Sequence, residues 1–114
     1  MLHYLHADKG AGKVRKVIYV AHPFGGKKEN VEKVEKIIIE MVRQYPDLAF
    51  YSPLHGTGFY YFEKTYEEGM KDCIEILSRC DELWLCKGWE KSRGCNIEKA
   101  WAEEHRMPIK YWGD

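Results

Sequence analysis

The sequence predicts a small α/β domain with a doubly wound parallel sheet of four to five strands, flanked by helices. Short apolar runs rich in β-branched residues alternate with longer segments that have helical periodicity. The connections between these segments are short. The first run, 17–21, is apolar at every position, as in a strand that is covered on both faces. A chain of 114 residues is long enough for one such domain with its own core.

Each element follows from the pattern of apolar residues. Apolar runs predict strands over 17–21, 48–51, 83–86 and 108–112. Helical spacing of apolar residues predicts helices over 31–45, 65–80 and 97–105. Right-handed crossovers between alternating strands and helices give a parallel sheet of the Rossmann or flavodoxin-like kind. Residues 1–14 lack periodicity and are expected to form a loose leader before a single domain over 15–114.

Charge and composition argue against several classes of protein. Lys plus Arg and Asp plus Glu both number 18, so no overall basic field favours nucleic acid as a partner. Because no apolar run approaches 20 residues and no signal peptide is recognisable, we expect a cytoplasmic protein without a membrane partner. Neither the four cysteines nor any cluster of ligand residues predicts a metal site or an organic cofactor.

The segment from Gly88 to Glu98 joins the third predicted strand to the third predicted helix. Such a crossing lies at the carboxyl end of a strand, where open α/β sheets bind ligands. Ser92 suits the N-cap of the helix and Gly94 suits the turn. Backbone N–H groups at a helix start also favour anions. The sequence therefore predicts that Glu98, about one turn into the helix, faces a ligand crevice.

Two other loops are expected to frame the same crevice, because they follow the first and second strands. The first of these loops contains His22, Pro23, Phe24, Gly25 and Gly26. The second, over 52–62, contains His55 and several aromatic residues separated by glycines, and it is expected to form a pocket wall or lid.

Three motifs in this order resemble the nucleoside 2-deoxyribosyltransferase-like superfamily over residues 15–112. They are Tyr-Val-Ala-His-Pro-Phe-Gly-Gly at 19–26, Cys-Asp-Glu-Leu-Trp-Leu at 80–85, and GWxxSRGxxxE at 88–98. The last motif looks closest to an uncharacterised bacterial and phage branch. The resemblance implies N-glycosidic bond cleavage, or base transfer, on a (deoxy)nucleoside or nucleoside 5′-monophosphate. It also implies a homo-oligomer in which neighbouring subunits complete each pocket.

The resemblance assigns roles to individual residues. Glu98 matches the glutamate that attacks the anomeric carbon of the sugar, and Tyr19 matches a tyrosine that orients this carboxylate through its hydroxyl group. Ser92 and Gly94 match the turn that holds a 5′-phosphate in the nucleotide-cleaving members. Gly25 and Gly26 could add backbone donors to that turn.

Trp89 and Arg93 belong to the same motif and are further candidates for substrate binding. Trp89 would stack on the base or sugar of the ligand. Ordinary structural roles are the alternatives at these positions. Glu98 would then be a first-turn glutamate that favours the helix dipole, Tyr19 a core aromatic, and Trp89 a residue that packs the loop over the sheet.

The chain departs from the family where an acidic residue donates a proton to the leaving base. Cys73 occupies that position, and Asp72 is one residue earlier, rotated by about 100° on a helix toward the side away from the apolar stripe. His22 and His55 are alternative proton donors, because the pKa of imidazole suits acid–base work. Two hypotheses remain: a glycosidase or transferase, and a non-catalytic module that binds a small nucleotide in the same crevice.

Overall fold

The structure is a computed structural model that describes residues 14–113, so residues 1–13 of the predicted leader and Asp114 lie outside the described residues. Within this range the strands are β1 (Val17–Ala21), β2 (Ala49–Tyr51), β3 (Glu82–Cys86) and β4 (Ile109–Trp112). The helices are α1 (Lys28–Gln44), α2 (Pro53–Gly56), α3 (Tyr66–Leu77) and α4 (Arg93–Glu104). Short 3₁₀ helices span Gly58–Glu63 and Trp89–Lys91.

The four strands form an all-parallel sheet with the order β2-β1-β3-β4. Tyr19 on β1 is paired with Tyr51 on β2 and with Leu83 on β3. The chain moves to one side of β1 to form β2 and then to its other side to form β3. The carboxyl ends of β1 and β3 therefore flank the topological switch point of a doubly wound sheet. This confirms the predicted fold class, with four strands.

Alternate residues of the central strands pack on opposite faces of the sheet. One face buries Ile18, Val20, Trp84 and Cys86 against Val34 and Met41 of α1. The other face buries Tyr19, Ala21, Leu83 and Leu85 against Leu77 of α3 and Ala102 of α4. Helices on both faces explain why β1 is apolar at every position. No helix within residues 14–113 is long and apolar enough to cross a membrane.

Side-chain caps fix where two of the helices begin. Ser92 Oγ accepts a hydrogen bond from the backbone N–H of Cys95 at 3.2 Å, so α4 begins at Arg93. This start is one turn before the apolar periodicity that predicts the helix. Thr65 caps α3 in the same way, through the backbone N–H of Glu68 at 3.2 Å.

The segment predicted as an aromatic loop is largely helical. Pro53 occupies the first turn of α2, where its missing N–H and fixed φ are tolerated. The following 3₁₀ helix is kinked at Tyr60, which has φ −109° and ψ 23°. Both helices are too short for apolar periodicity to identify them, so the sequence predicts their position between β2 and α3 but not their conformation.

Candidate active site

A cavity of about 90 Å³ lies where the loop after β1, the segment between β2 and α3, and helices α3 and α4 meet. The loop after β1 contributes His22 and Phe24, and α4 contributes Glu98. Helix α3 contributes Met70 and Cys73, together with Tyr66. Much of the remaining wall comes from Tyr60, Tyr61 and Lys64 in the segment before α3. The predicted crevice is thus a mostly apolar pocket whose wall includes four aromatic side chains and one buried carboxyl group.

Glu98 is buried, with 5% of its surface exposed, although it is ionisable. Its Oε2 accepts a hydrogen bond from the Tyr19 hydroxyl at 2.5 Å. Within residues 14–113 no cation pairs with Glu98, and Oε1 has no hydrogen-bond partner. Burial raises the pKa of Glu98 to about 7, against the lowering effect of the Tyr19 hydrogen bond. An unpaired carboxyl group in such a place is costly for folding, and groups of this kind concentrate at functional sites.

Tyr19 is fully buried in β1 and faces the sheet side that α3 and α4 cover. Burial, and then the charge of Glu98, raise the pKa of Tyr19 well above its ordinary value. The phenol therefore keeps its proton and acts as the donor in the bond to Glu98. This bond leaves one carboxylate oxygen of Glu98 held and the other without a partner among the described residues.

Cys73 lines the cavity beside the Tyr19–Glu98 pair. Its Sγ lies 3.9 Å from Thr57 Oγ1. Burial, followed by the charge of Glu98, raises the pKa of the Cys73 thiol. The side chain therefore stays a neutral thiol, which is a weaker acid than a carboxylic acid.

His22 is buried at the cavity wall, directly after β1. Its Nδ1 lies 2.8 Å from the Pro23 carbonyl oxygen, which can only accept, so Nδ1 carries the proton. Burial lowers the pKa of His22; the Pro23 hydrogen bond opposes this, and the charge of Lys33 adds to it. The ring is therefore neutral near pH 7, and its Nε2 is an acceptor.

Asp72 does not line the cavity. Its Oδ2 accepts hydrogen bonds from Lys64 Nζ at 2.6 Å and from the Tyr60 hydroxyl at 3.0 Å. The bonds from Lys64 and then Tyr60 lower the pKa of Asp72. The side chain is thus an ionised acceptor bound to two residues of the cavity wall, and the structure does not bring it together with Glu98 as a proton donor.

His55 and Trp89 also lie outside the cavity. His55 bridges Ser52 Oγ and Glu35 Oε2, each at 2.7 Å from a ring nitrogen. The Trp89 ring packs against Tyr111 of β4, with 5.6 Å between the ring centroids. Trp89 begins a 3₁₀ helix on the β4 side of the sheet, and this position separates it from the aromatic wall of the cavity.

Each of the three candidate residues in the turn at the start of α4 has a structural role. The Ser92 hydroxyl caps the helix. The Arg93 guanidinium stacks 4.5 Å from the centre of the Tyr66 ring and lies 3.7 Å from Glu67 Oε2. A Cβ on Gly94 would lie 3.1 Å from the Tyr66 hydroxyl. None of the three lines the cavity. Gly94 nevertheless allows Tyr66, which lines the cavity, to approach α4.

The loop after β1 contributes less to the wall than its sequence predicts. Pro23 provides the carbonyl that orients His22. Gly25 and Gly26 have φ of +58° and +74°, a left-handed conformation that favours glycine. A Cβ on Gly26 would lie 2.5 Å from Phe62 Cζ, so this glycine allows the aromatic segment to approach the loop. Neither glycine lines the cavity in the described part of the chain.

Several wall residues were not predicted as site residues. The helical spacing of Tyr66, Met70 and Cys73 predicts only the apolar stripe of a helix. Lys64 belongs to none of the three motifs. Gly69 was the available signal in the sequence, because a glycine inside a helical pattern destabilises the helix and suggests a packing or functional role. Among residues 14–113, no group of three or more His, Cys, Asp or Glu side chains could hold a metal ion.

The comparisons with known proteins define a family but no activity. The family model described as Domain of unknown function (DUF4406) matches residues 16–111. No curated protein matches the chain. The matched range begins just before β1 and ends within β4, so it includes the whole sheet except its last residue, and every candidate site residue. The chain therefore belongs to the DUF4406 family.

Proposed function

We propose that this domain cleaves the N-glycosidic bond of a (deoxy)nucleoside or nucleoside 5′-monophosphate, or transfers its base, with Glu98 as the nucleophile. The observation that carries this proposal is the buried Tyr19–Glu98 pair at the cavity wall. The reaction class comes from the resemblance of the GWxxSRGxxxE motif to the nucleoside 2-deoxyribosyltransferase-like superfamily. The geometry supports it because a tyrosine holds one oxygen of the carboxylate.

A carboxylate suits this reaction because the transition state has oxocarbenium character. In the first step a bond forms between Glu98 and C1′ of the sugar while the C1′–N bond breaks. The electron pair of the broken bond goes to the base, which takes up a proton. In the second step water or another base attacks C1′, and the bond to Glu98 breaks.

The proton for the leaving base comes from water in this proposal. Cys73 is a thiol with a raised pKa, and the carboxylate of Asp72 is held by Lys64 outside the cavity. Neutral His22 carries its proton on Nδ1, which is bonded to Pro23. The expected substrates are therefore nucleosides whose bases leave without strong acid catalysis.

The aromatic wall must move outward to admit a nucleoside. The cavity measures about 90 Å³, whereas small-molecule sites usually start at roughly 300 Å³. The 3₁₀ helix Gly58–Glu63 is the element suited to this movement, because Phe59 and Phe62 are 83% and 79% exposed and so bury little surface. Its outward movement has to break the Tyr60–Asp72 hydrogen bond and to separate the Tyr61 ring from that of Phe24.

A homo-oligomer is the second part of the proposal. The resemblance implies pockets that neighbouring subunits complete, and the exposed rings of Phe59 and Phe62 lie next to the cavity wall. A contact between subunits at this place would bury both rings. Sedimentation at working concentration tests this point, and a strictly monomeric species would count against it.

A non-catalytic module that binds a small nucleotide is the second candidate function. One observation favours it: Cys73 takes the place of the acidic residue that the resemblance implies, and the adjacent Asp72 is bound to Lys64 and does not line the cavity. Such a module would bind its ligand in the same cavity without releasing free base.

The experiment is to incubate the protein with ribo- and deoxynucleosides and their 5′-monophosphates and to follow free base by chromatography. Glu98→Gln should reduce base release by roughly 10³-fold or more. Glu104→Gln, which neutralises an exposed carboxylate on the same helix, is the matched control and should retain activity. Absence of release with a ligand-induced rise in Tm would instead favour the binding module.

A further inference from the structure

We infer that Asp72 is a specificity-determining residue: by neutralising Lys64 at the cavity wall, it makes the site accept an uncharged nucleoside and reject the 5′-monophosphate. This inference rests on the proposed function and narrows its substrate class. It depends on the charges around the cavity and on the side chains that could bind a phosphate there.

Lys64 is the one Lys or Arg side chain on the cavity lining within residues 14–113. Its Nζ lies 2.6 Å from Asp72 Oδ2 and 5.5 Å from the centre of the Tyr60 ring. The Tyr60 hydroxyl donates to the same Asp72 oxygen at 3.0 Å. Two wall residues are therefore bound to one carboxylate, so Lys64 brings no unpaired positive charge to the cavity.

Other cations near the cavity do not replace Lys64. The Arg93 side chain is 67% exposed, stacks on Tyr66 and faces Glu67 at 3.7 Å. The charge of Lys33 lowers the pKa of His22, but Lys33 is exposed and does not line the cavity. His22 itself is neutral, because burial disfavours its charged form.

The turns that could bind a phosphate through neutral donors do not face the cavity. The Ser92 hydroxyl accepts the backbone N–H of Cys95 as a helix cap. Gly25, Gly26 and Gly94 are absent from the cavity lining in the described residues. A 5′-phosphate in this cavity would therefore meet neither a free cation nor a cradle of backbone donors.

Glu98 makes a phosphate still less favourable. A phosphate monoester carries about −1.5 to −2 charge at pH 7, and the attacking form of Glu98 is also an anion. Like charges repel more strongly in a partly dehydrated pocket than in water. An uncharged nucleoside avoids this repulsion and can pack its base and sugar against Tyr61, Tyr66 and Met70.

The test compares kcat/KM for base release from a deoxynucleoside and from its 5′-monophosphate. The wild-type protein should prefer the nucleoside. Asp72→Asn keeps the shape of the side chain and an acceptor oxygen but leaves Lys64 positive. The variant should shift the ratio toward the monophosphate by about tenfold, the effect expected of one charge-assisted contact. Adding Lys64→Gln to Asp72→Asn should remove this shift.

Glu75→Gln is the matched control, because Glu75 is on the same helix and pairs with Arg79 at 2.7 Å, away from the cavity lining. It removes the same charge and should leave the ratio unchanged. Turnover with a wild-type preference for the monophosphate would overturn the inference but leave the glycosidase proposal intact. An unchanged ratio in Asp72→Asn would also overturn it.

Absence of turnover with either compound would contradict the proposed function rather than the charge argument. Calorimetric titration with the same two compounds then tests the inference. Tighter binding of the nucleoside than of the monophosphate supports it. Tighter binding of the monophosphate, or binding of neither compound, overturns it.

Discussion

The hydroxyl of Tyr19 lies 2.5 Å from Glu98 Oε2, although the two residues are 79 positions apart in the sequence. The order of the strands explains this contact. β1 and β3 are neighbours at the switch point, so the helix that follows β3 returns across the face of the sheet on which Tyr19 lies. The fold itself therefore brings the phenol and the carboxylate together.

Replacement of Glu98 by glutamine should stabilise the protein at alkaline pH. The pKa of Glu98 is raised from 4.5 to about 7 in the folded state. A raised pKa contributes stability that is complete below about pH 4.5 and is lost as pH rises through about 7. Glutamine mimics the protonated form, so Glu98→Gln should exceed wild type at pH 8 by up to about 3 kcal/mol.

Urea unfolding of both proteins at pH 8 and at pH 4.5 measures this difference. The two should agree within about 0.4 kcal/mol at pH 4.5, where Glu98 is protonated in the folded state and half protonated in the unfolded state. A Glu98→Gln variant that is less stable than wild type at pH 8 would show that the carboxylate is not strained by burial.

Removal of the Tyr19 hydroxyl should shift the pH dependence of base release. The hydrogen bond from Tyr19 lowers the pKa of Glu98, so Tyr19→Phe should raise this pKa further above about 7. The ascending limb of kcat/KM against pH should move to higher pH. Loss of a hydrogen bond to a charged group costs about 1.5–3 kcal/mol, which corresponds to a loss of roughly 10- to 100-fold in rate.

Tyr51→Phe is the matched control for this variant. The Tyr51 ring packs 5.8 Å from that of Tyr19 but does not bond to Glu98. The dependence of kcat/KM on pH in the Tyr51→Phe variant should resemble that of the wild-type protein. An unchanged profile in Tyr19→Phe as well would argue against a role of Tyr19 in orienting the carboxylate.

A methyl group at position 69 should stabilise the fold and impair ligand binding. Gly69 lies inside α3, where alanine is favoured by about 0.5–1 kcal/mol over glycine. A Cβ there meets nothing within 4 Å, and the residue lines the cavity. Gly69→Ala should therefore raise the free energy of unfolding while raising KM, because the pocket becomes narrower.

Gly94→Ala provides a contrast, because its Cβ would lie 3.1 Å from the Tyr66 hydroxyl and 3.5 Å from Met70 Sδ. Tyr66 would have to give way, so this variant should gain less stability than Gly69→Ala. Denaturant unfolding of the two variants gives the comparison. Equal stabilisation by both would indicate that the contact between α4 and Tyr66 is loose.

The fold could be predicted from the sequence because its signals are local and repeated. The apolar run 17–21 and the periodic helix after it report burial on both faces of one sheet. The position of Glu98 beside the cavity was predictable for a related reason. It follows from the strand-to-helix crossing after β3 and from the cap at Ser92, both of which can be recognised in a short stretch of sequence.

The remaining features of the site depend on tertiary contacts without a local pattern. The pairing of Lys64 with Asp72 requires the turn that precedes α3 to fold back along that helix. Trp89 was expected at the ligand, but a 3₁₀ helix places it against Tyr111 of β4. Spacing along the chain does not determine which side of such a short helix faces the cavity.

The most direct test of Glu98 as the nucleophile is to trap the sugar on it. The protein is incubated with a 2′-fluoro-arabinosyl nucleoside, whose fluorine slows release of the sugar by destabilising positive charge at C1′. Intact-mass spectrometry followed by peptide mapping should then find one sugar residue on Glu98, and none in Glu98→Gln. Free base released without any adduct, or an adduct on another residue, would contradict the assignment of Glu98 as nucleophile.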